Sequence, residues 1–395
     1  MTCTILFNRV IFTIVMNITI RKETEDSLKR KGITEYTDIQ KQVLPHALSG
    51  EDILVQAPTG SGKTYAYLIP VLEHLEPQGK GKHYPKALIL APTRELCNQI
   101  AHVTRELLSN REGIRTALLT GGYDMNAQIR SFKKGSDIVI GTPARVLDHL
   151  RRHTFKPKEC SILVLDEADE MLSMGFQKDV EDVIEQLPEH QSFLLSATFN
   201  TDVKELAETI LNDPYECRME KETVLKQDID VHAMIVREQN KPDALSYILQ
   251  KTDGQVILFA NTRKTCDFLQ KLLHKKGYAI EAIHSEMDYD IRKKIMQDFR
   301  NGDLKILCAT DVAARGIDIP SVDTVILYDL PDTEESLIHR VGRTARAGQK
   351  GSAYLLIKPS EQNRYNLKQL FRDVTTSSFH ERKTKPRRRT SSRRH

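Results

Sequence analysis

The sequence contains no tryptophan and only six cysteines (Cys3, Cys97, Cys160, Cys217, Cys266 and Cys308), each more than forty residues from the next. Without a Cys-x-x-Cys pair or a His/Cys ligand spacing, neither a zinc nor a disulfide framework is expected, and a reducing compartment is. No apolar run is long enough to span a bilayer. Residues 5–20 are apolar but broken by Asn8, Arg9 and Asn17, and no small-residue cleavage site accompanies them, so a signal peptide fits poorly. Met16, within that stretch, is an alternative start. A large charge of one sign is missing as well, since the net charge is only +4. It is unevenly placed: from Phe379 onward eight Lys and Arg face the single Glu381, which leaves the rest of the chain slightly negative. A nearly neutral body with a basic tail points to a polyanionic partner.

What is present is ordinary for a globular protein: 39% hydrophobic and 28% charged residues over 395 positions, a length that suggests two or three domains. Strands and helices alternate along it. Short apolar runs at 52–56, 87–90, 116–119, 137–140, 162–165 and 193–195 read as buried parallel strands, because a strand covered on both faces is apolar throughout rather than alternating. A charged, less periodic stretch at 214–227 reads as a linker. Alternation then restarts with strands at 232–236, 256–259, 279–283, 305–308, 324–327 and 353–357. From Ser377 the chain is rich in Arg, Lys, Ser and Thr and is expected to be disordered.

Polar clusters follow these strands, where open α/β sheets place their ligand sites. The run Ile162-Leu163-Val164-Leu165 ends in Asp166-Glu167-Ala168-Asp169. Three carboxylates at a strand end suit Mg²⁺ with a nucleotide, although alone they read more readily as an acidic loop. The strand at 52–56 ends in Ala57-Pro58-Thr59-Gly60-Ser61-Gly62-Lys63-Thr64, and a helical pattern follows. This is a P-loop arrangement, with Ala57 where the first glycine of the common form stands. Its glycines let backbone N–H groups converge on phosphate, Lys63 reaches the terminal phosphates, and Thr64 can hold Mg²⁺. A flexible turn is the bland alternative, and the flanking strand and helix argue against it.

Other strand ends carry Pro92-Thr93-Arg94-Glu95-Leu96, Thr120-Gly121-Gly122, Gly141-Thr142-Pro143-Ala144-Arg145 and Ser196-Ala197-Thr198. In the second half they carry Ala260-Asn261-Thr262-Arg263, Ala309-Thr310-Asp311 and Tyr328-Asp329-Leu330-Pro331. Two further clusters are Ala314-Arg315-Gly316-Ile317-Asp318 and His339-Arg340-Val341-Gly342-Arg343-Thr344-Ala345-Arg346. The second spaces Arg340, Arg343 and Arg346 three apart, on one face if helical. A solvated basic helix face would explain that cluster taken alone.

In this order, from about Gly32 to Pro359, the motifs resemble the DEAD-box family of ATP-dependent RNA helicases. The resemblance implies an α/β chain of two tandem RecA-like parallel-sheet domains with a disordered basic tail. The domains are expected at 17–213 and 228–360, joined by the linker 214–227 and followed by an extension, 361–395. ATP and Mg²⁺ are the implied cofactors. Gln40 would read adenine, and Thr59, Gly60, Ser61, Gly62, Lys63 and Thr64 would hold the phosphates. Thr64 and Asp166 would hold the metal, and Glu167 would position the attacking water. Asp318 would touch the ribose, while Arg343 and Arg346 would act as arginine fingers. Asp169, Ser196, Thr198 and His339 would couple hydrolysis to domain movement. RNA would lie on Pro92, Thr93, Arg94, Gly121, Gly122, Thr142, Arg145, Arg263, Arg292, Thr310 and Asp311, largely independently of sequence.

The implied activity is RNA-stimulated ATP hydrolysis driving local duplex unwinding or remodelling of RNA–protein complexes. An ATP-gated RNA clamp and a DNA helicase are the rival readings. A monomer is expected, with protein cofactors as further partners, no membrane association and a cytoplasmic location. The basic tail reads as an auxiliary RNA anchor, a nuclear or nucleolar address, or an inert solvated tail. The chain departs from the family pattern at Tyr36 (usually Pro), Ala144 (usually Gly) and Tyr289 (usually Gln). The upstream adenine-stacking aromatic falls near Val15, with Phe12 the nearest aromatic.

Overall fold

Apolar runs of four residues form the centre of each sheet because every side chain in them has somewhere dry to go. The computed structural model describes residues 18–57, 60–76, 84–133, 135–219, 229–284, 287–310, 322–345 and 350–379. Two units divide near residue 221.

The first unit carries strands β1 (Ile53–Gln56), β2 (Ala87–Leu90), β3 (Thr116–Leu119), β4 (Ile138–Gly141), β5 (Ile162–Leu165), β6 (Gln191–Ser196) and β7 (Tyr215–Arg218). All pair in parallel, in the order β3-β4-β2-β5-β6-β1-β7. Alternate side chains feed two separate cores. Ile53, Val55, Ile89, Ile140 and Val164 pack on one face, and Leu54, Leu88, Val139, Leu163 and Leu165 on the other. That is why the strands read as unbroken apolar runs.

The second unit repeats the plan with β8 (Ile229–Ile235), β9 (Val256–Phe259), β10 (Ile280–Ile283), β11 (Ile306–Ala309), β12 (Thr324–Leu327), β13 (Gly351–Ile357) and β14 (Asp373–Ser378). Its order, β10-β11-β9-β12-β13-β8-β14, is that of the first sheet with every number advanced by seven.

Two expectations are corrected here. Residues 215–218, inside the expected linker, form β7 beside β1. Residues 373–378, inside the expected extension and running past Ser377, form β14 beside β8. Both are outermost strands with little to bury: only Cys217 is buried in β7, and no β14 residue is. Such strands have no apolar signature to read. The tail beyond 379 lies outside the described residues, as do Phe12, Val15 and Met16. Among the described residues no helix is long and apolar enough to cross a membrane.

Candidate nucleotide and RNA site

The P-loop helix, Lys63–His74, starts at Gly62, whose φ of +97° only glycine adopts easily. Close approach constrains this position too. A Cβ on Gly62 would stand 2.6 Å from Gln40 Nε2 and 2.7 Å from Thr37 Oγ1. Thr37 caps the helix Asp38–Ser49 in a capping box, with Gln40 Oε1 accepting from Thr37 N at 3.0 Å. Gln40 Nε2 in turn donates to Gly62 O at 3.0 Å, so the residue expected on adenine also braces the phosphate loop.

Lys63 is buried and its Nζ donates to Ala57 O. One turn along the same helix, the wholly buried Tyr67 donates its hydroxyl to Asp166 Oδ2 at 2.9 Å and also hydrogen-bonds Thr64. Tyr67 thereby brings together the two expected metal ligands. Sequence reading missed it, although its place four residues after Lys63, on the same helix face, was the available signal.

Thr64 and Asp166 offer one hydroxyl and one carboxylate oxygen, a hard donor set that fits Mg²⁺ with phosphate and water completing its shell. Burial raises the Asp166 carboxyl pKa, and Lys63 draws it back down. Glu167 is pushed from its ordinary 4.5 up to about 8, by desolvation first and then by Asp166. Its backbone is left-handed, φ 55° and ψ 53°, at the start of the helix Ala168–Ser173. This disfavoured conformation turns the chain sharply after β5 and keeps successive carboxylates in one cluster.

The raised Glu167 pKa has a thermodynamic consequence in the nucleotide-free protein. Between 4.5 and about 8 the folded state holds a proton that the unfolded state has lost. The unfolded state then binds fewer protons, so stability falls as pH rises through that window. The Glu167→Gln variant is expected to gain little stability over the parent at about pH 5 and most above about pH 8. Thermal melts across that range check this, and a gain that does not grow with pH would overturn the reading.

Asp169 Oδ2 accepts from both Thr198 N (2.9 Å) and Thr198 Oγ1 (2.8 Å), and Ser196 Oγ donates to Thr198 O at 2.6 Å. The three expected coupling residues of the first unit are therefore one hydrogen-bonded group. Asp169 Oδ1 is buried with no hydrogen-bond partner among the described residues.

The expected RNA residues of this unit share the same sheet end. Thr93 caps the helix Arg94–Leu107 by accepting from Leu96 N. Arg94 Nη1 donates to Gly121 O at 3.1 Å and fills the space where a Cβ on Gly122 would fall. Arg145 Nη1 donates to Tyr123 O at 3.3 Å, and Thr142 N donates to Leu119 O at 3.0 Å. Pro92 directly precedes Thr93 after β2. Beneath these loops lies a buried relay that sequence reading did not find: Gln128 Nε2 donates to Thr120 O, and His149 bonds Gln128 and Thr154. Burial and Arg145 push the His149 pKa down to about 4, so the ring is neutral near pH 7.

In the second unit Thr262 caps the helix Arg263–Lys275 as Thr93 does in the first. Thr310 follows β11 and is buried. Arg292 is only 5% exposed. The arginine cluster is not one helical face. The helix Glu334–Val341 stops at Gly342, and Arg343 lies in the following turn, where Val322 N donates to Arg343 O. Nor is the cluster solvated throughout, since Arg340 is 3% exposed and hydrogen-bonded inside the unit. His339 and Arg343 are partly buried. Thr59, Asp311, Asp318 and Arg346 lie outside the described residues.

Residues 37–206 match the DEAD/DEAH box helicase family model, and residues 240–348 match the helicase conserved C-terminal domain. The DEAD-box ATP-dependent RNA helicase CshA of Bacillus cereus is 39% identical over 85% of this chain. This chain spans 63% of that relative's length. CshA of Bacillus licheniformis is 38% identical over 85% of this chain and 69% of its own length. Among solved structures, Saccharomyces cerevisiae Dbp5 bound to RNA and ADP BeF3 superposes with a TM-score of 0.80 at 30% identity, covering 91% of this chain and 94% of that one. With both halves matched and the motif residues assembled at the strand ends, the chain belongs to the DEAD-box ATP-dependent RNA helicase family.

Proposed function

We propose that the protein is an RNA-stimulated ATPase that couples hydrolysis to local unwinding of RNA duplexes or remodelling of RNA–protein complexes. The convergence of Lys63, Thr64, Tyr67, Asp166 and Glu167 carries this reading. In it Lys63 and the P-loop backbone bind and orient the phosphates, and Thr64 and Asp166 hold Mg²⁺. The metal, when bound, supplies charge that offsets the phosphate oxygens. Glu167 orients the attacking water and takes its proton. That transfer requires the carboxylate form.

Phosphoryl transfer depends mostly on positioning and charge, and Arg343 and Arg346 of the second unit supply the positive charge that the acidic cluster cannot. Asp169, bonded to Thr198, passes the state of the nucleotide to the loop after β6. Arg94, Arg145 and Arg263 hold RNA by its backbone, which carries little sequence information. The RNA and ADP BeF3 in the Dbp5 structure support this assignment.

The test is ATP turnover with and without single-stranded RNA, run beside strand separation of a short RNA duplex. The expected result is stimulation by RNA, and ATP-dependent separation that a DNA duplex does not show, because the 2′-hydroxyl distinguishes the two. Turnover indifferent to RNA would overturn the coupling. Slow RNA release in ATP without strand separation would favour the clamp.

A further inference from the structure

Because the two sheets share one strand order, positions in the first unit have counterparts in the second. Lys63 opens the helix after β1, and Lys241 opens the helix Lys241–Leu249 after β8. Asp166 follows β5 directly, and Asp329 lies just past β12. A lysine–aspartate pair thus recurs without its glycine loop, which is replaced by the short turn Glu238–Asn240. Lys241 is fully buried, with Nζ 3.1 Å from Asp329 Oδ1, 3.3 Å from Glu238 Oε2 and over the Tyr328 ring at 5.0 Å. Its charge is already met by the protein.

Asp329 holds more than this lysine. Its Oδ2 accepts from Asn261 N at 3.2 Å, and its main-chain oxygen accepts from Arg340 Nη1 at 2.8 Å. Arg340 Nη2 donates to Asn261 Oδ1 at 2.8 Å, and Asn261 Nδ2 donates to Leu330 O at 2.7 Å. Two segments expected to do different work meet at this point. Asn261 begins the turn that presents Arg263, expected on RNA. Arg340 sits in the helix Glu334–Val341, beside His339 and three residues before Arg343, expected on the phosphate.

Lys241 and Arg340 are buried while the Asp329 side chain is 21% exposed, so losing the Asp329 carboxylate leaves the buried Lys241 charge short of a partner. We propose that Asp329 is a positioning residue that acts through Asn261: its carboxylate holds Asn261 N, the Asn261 side chain holds Arg340, and the RNA-facing turn at Arg263 is thereby locked to the arginine turn at Arg343, so that RNA held at the first sets the second. The activity readout of this inference rests on the RNA-stimulated ATPase proposed above, whereas its structural readout does not.

The test compares the full-length parent with Asp329→Asn and with the neutral pair Lys241→Gln/Asp329→Asn. Hydrogen exchange is followed with and without a single-stranded oligoribonucleotide, in the absence of nucleotide. In the parent, RNA is expected to protect amides at 262–266 and also at 334–343. In both variants the first protection stays and the second falls to the RNA-free level. The RNA-stimulated kcat falls about tenfold, within the usual span of site-to-site coupling, while the KM for ATP and the unstimulated rate change less than about twofold.

The neutral pair removes the buried Lys241 charge together with its Asp329 partner, which separates loss of coupling from simple unfolding. Retained protection at 334–343 in the neutral pair overturns the proposal. So does RNA that protects 262–266 of the parent and never 334–343, whatever the ATPase rate. If the parent shows both protections but no RNA-stimulated turnover, the proposed function fails and the positioning role stands.

Discussion

Arg343→Ala is expected to lower RNA-stimulated ATP turnover by about 10³–10⁵-fold while leaving ATP binding nearly intact. The reason is a charge imbalance in the first unit. Lys63 there acts on both Asp166 and Glu167, while Glu167 also lies in the field of Asp166, Glu170 and Asp169. Such a site cannot stabilise the charge spreading over a phosphoryl group in transfer, so cations from elsewhere must. The substitution should leave the local fold in place. The turn is held by backbone and by Thr344, whose hydroxyl donates to Val322 O and whose backbone bridges Val322. Arg343→Lys keeps the charge but loses the planar fork, so it should fall between the parent and alanine. Single-turnover rates with saturating RNA, beside a fluorescent-nucleotide titration, check both. A loss smaller than about tenfold would remove the finger role.

The second large effect is at Lys63. Lys63→Met keeps the buried stem and removes the ammonium, and turnover is expected to fall by at least about 10²-fold, the usual loss for one preorganised donor at a reacting oxyanion. Unlike the Arg343 change, it should also weaken ATP binding, because Lys63 is proposed to hold the phosphates. A further signature distinguishes it from general damage. Lys63 is the cation that draws the Asp166 pKa down, so its loss should raise that carboxyl further and make nucleotide-free stability fall more steeply with pH. Calorimetric ATP titration with melts at two pH values would check this. Undiminished affinity, or an unchanged pH slope, would count against the assignment.

The sequence disclosed the interior of each sheet and the polar residues at its working edge, and the reasons are physical. Central strands such as β5 and β9 are dry on both faces, so their apolar runs are unambiguous, and the residue after each run marks the site. Three kinds of feature stayed hidden. Tyr67 reads as a core aromatic until its hydroxyl is seen on Asp166. Arg340 belongs to the same motif as Arg343 but is buried where Arg343 is only partly so, and spacing cannot tell the two apart. Asp329 and Lys241 lie 88 residues apart, and only the repeated strand order brings them into view. The helical reading of the arginine cluster failed because Gly342 ends the helix between Arg340 and Arg343.

The outermost strands β7 and β14 bury almost nothing, yet each lies against the strand that precedes a lysine-headed helix, β1 or β8. An open strand edge is a template for pairing with other chains. Without residues 373–378, β8 would present its outer N–H and C=O groups together with apolar Val231, Ala233 and Met234. Phe379 extends the cover: its N–H donates to Ile235 O, and its ring lies 6.0 Å from that of Tyr247. Residues 373–379 are therefore expected to guard the β8 edge against self-association, which sedimentation of two truncated chains would check. A truncation placed at Ile357, where the apolar pattern stops, would keep every motif and lose solubility, whereas one placed after Phe379 would keep both.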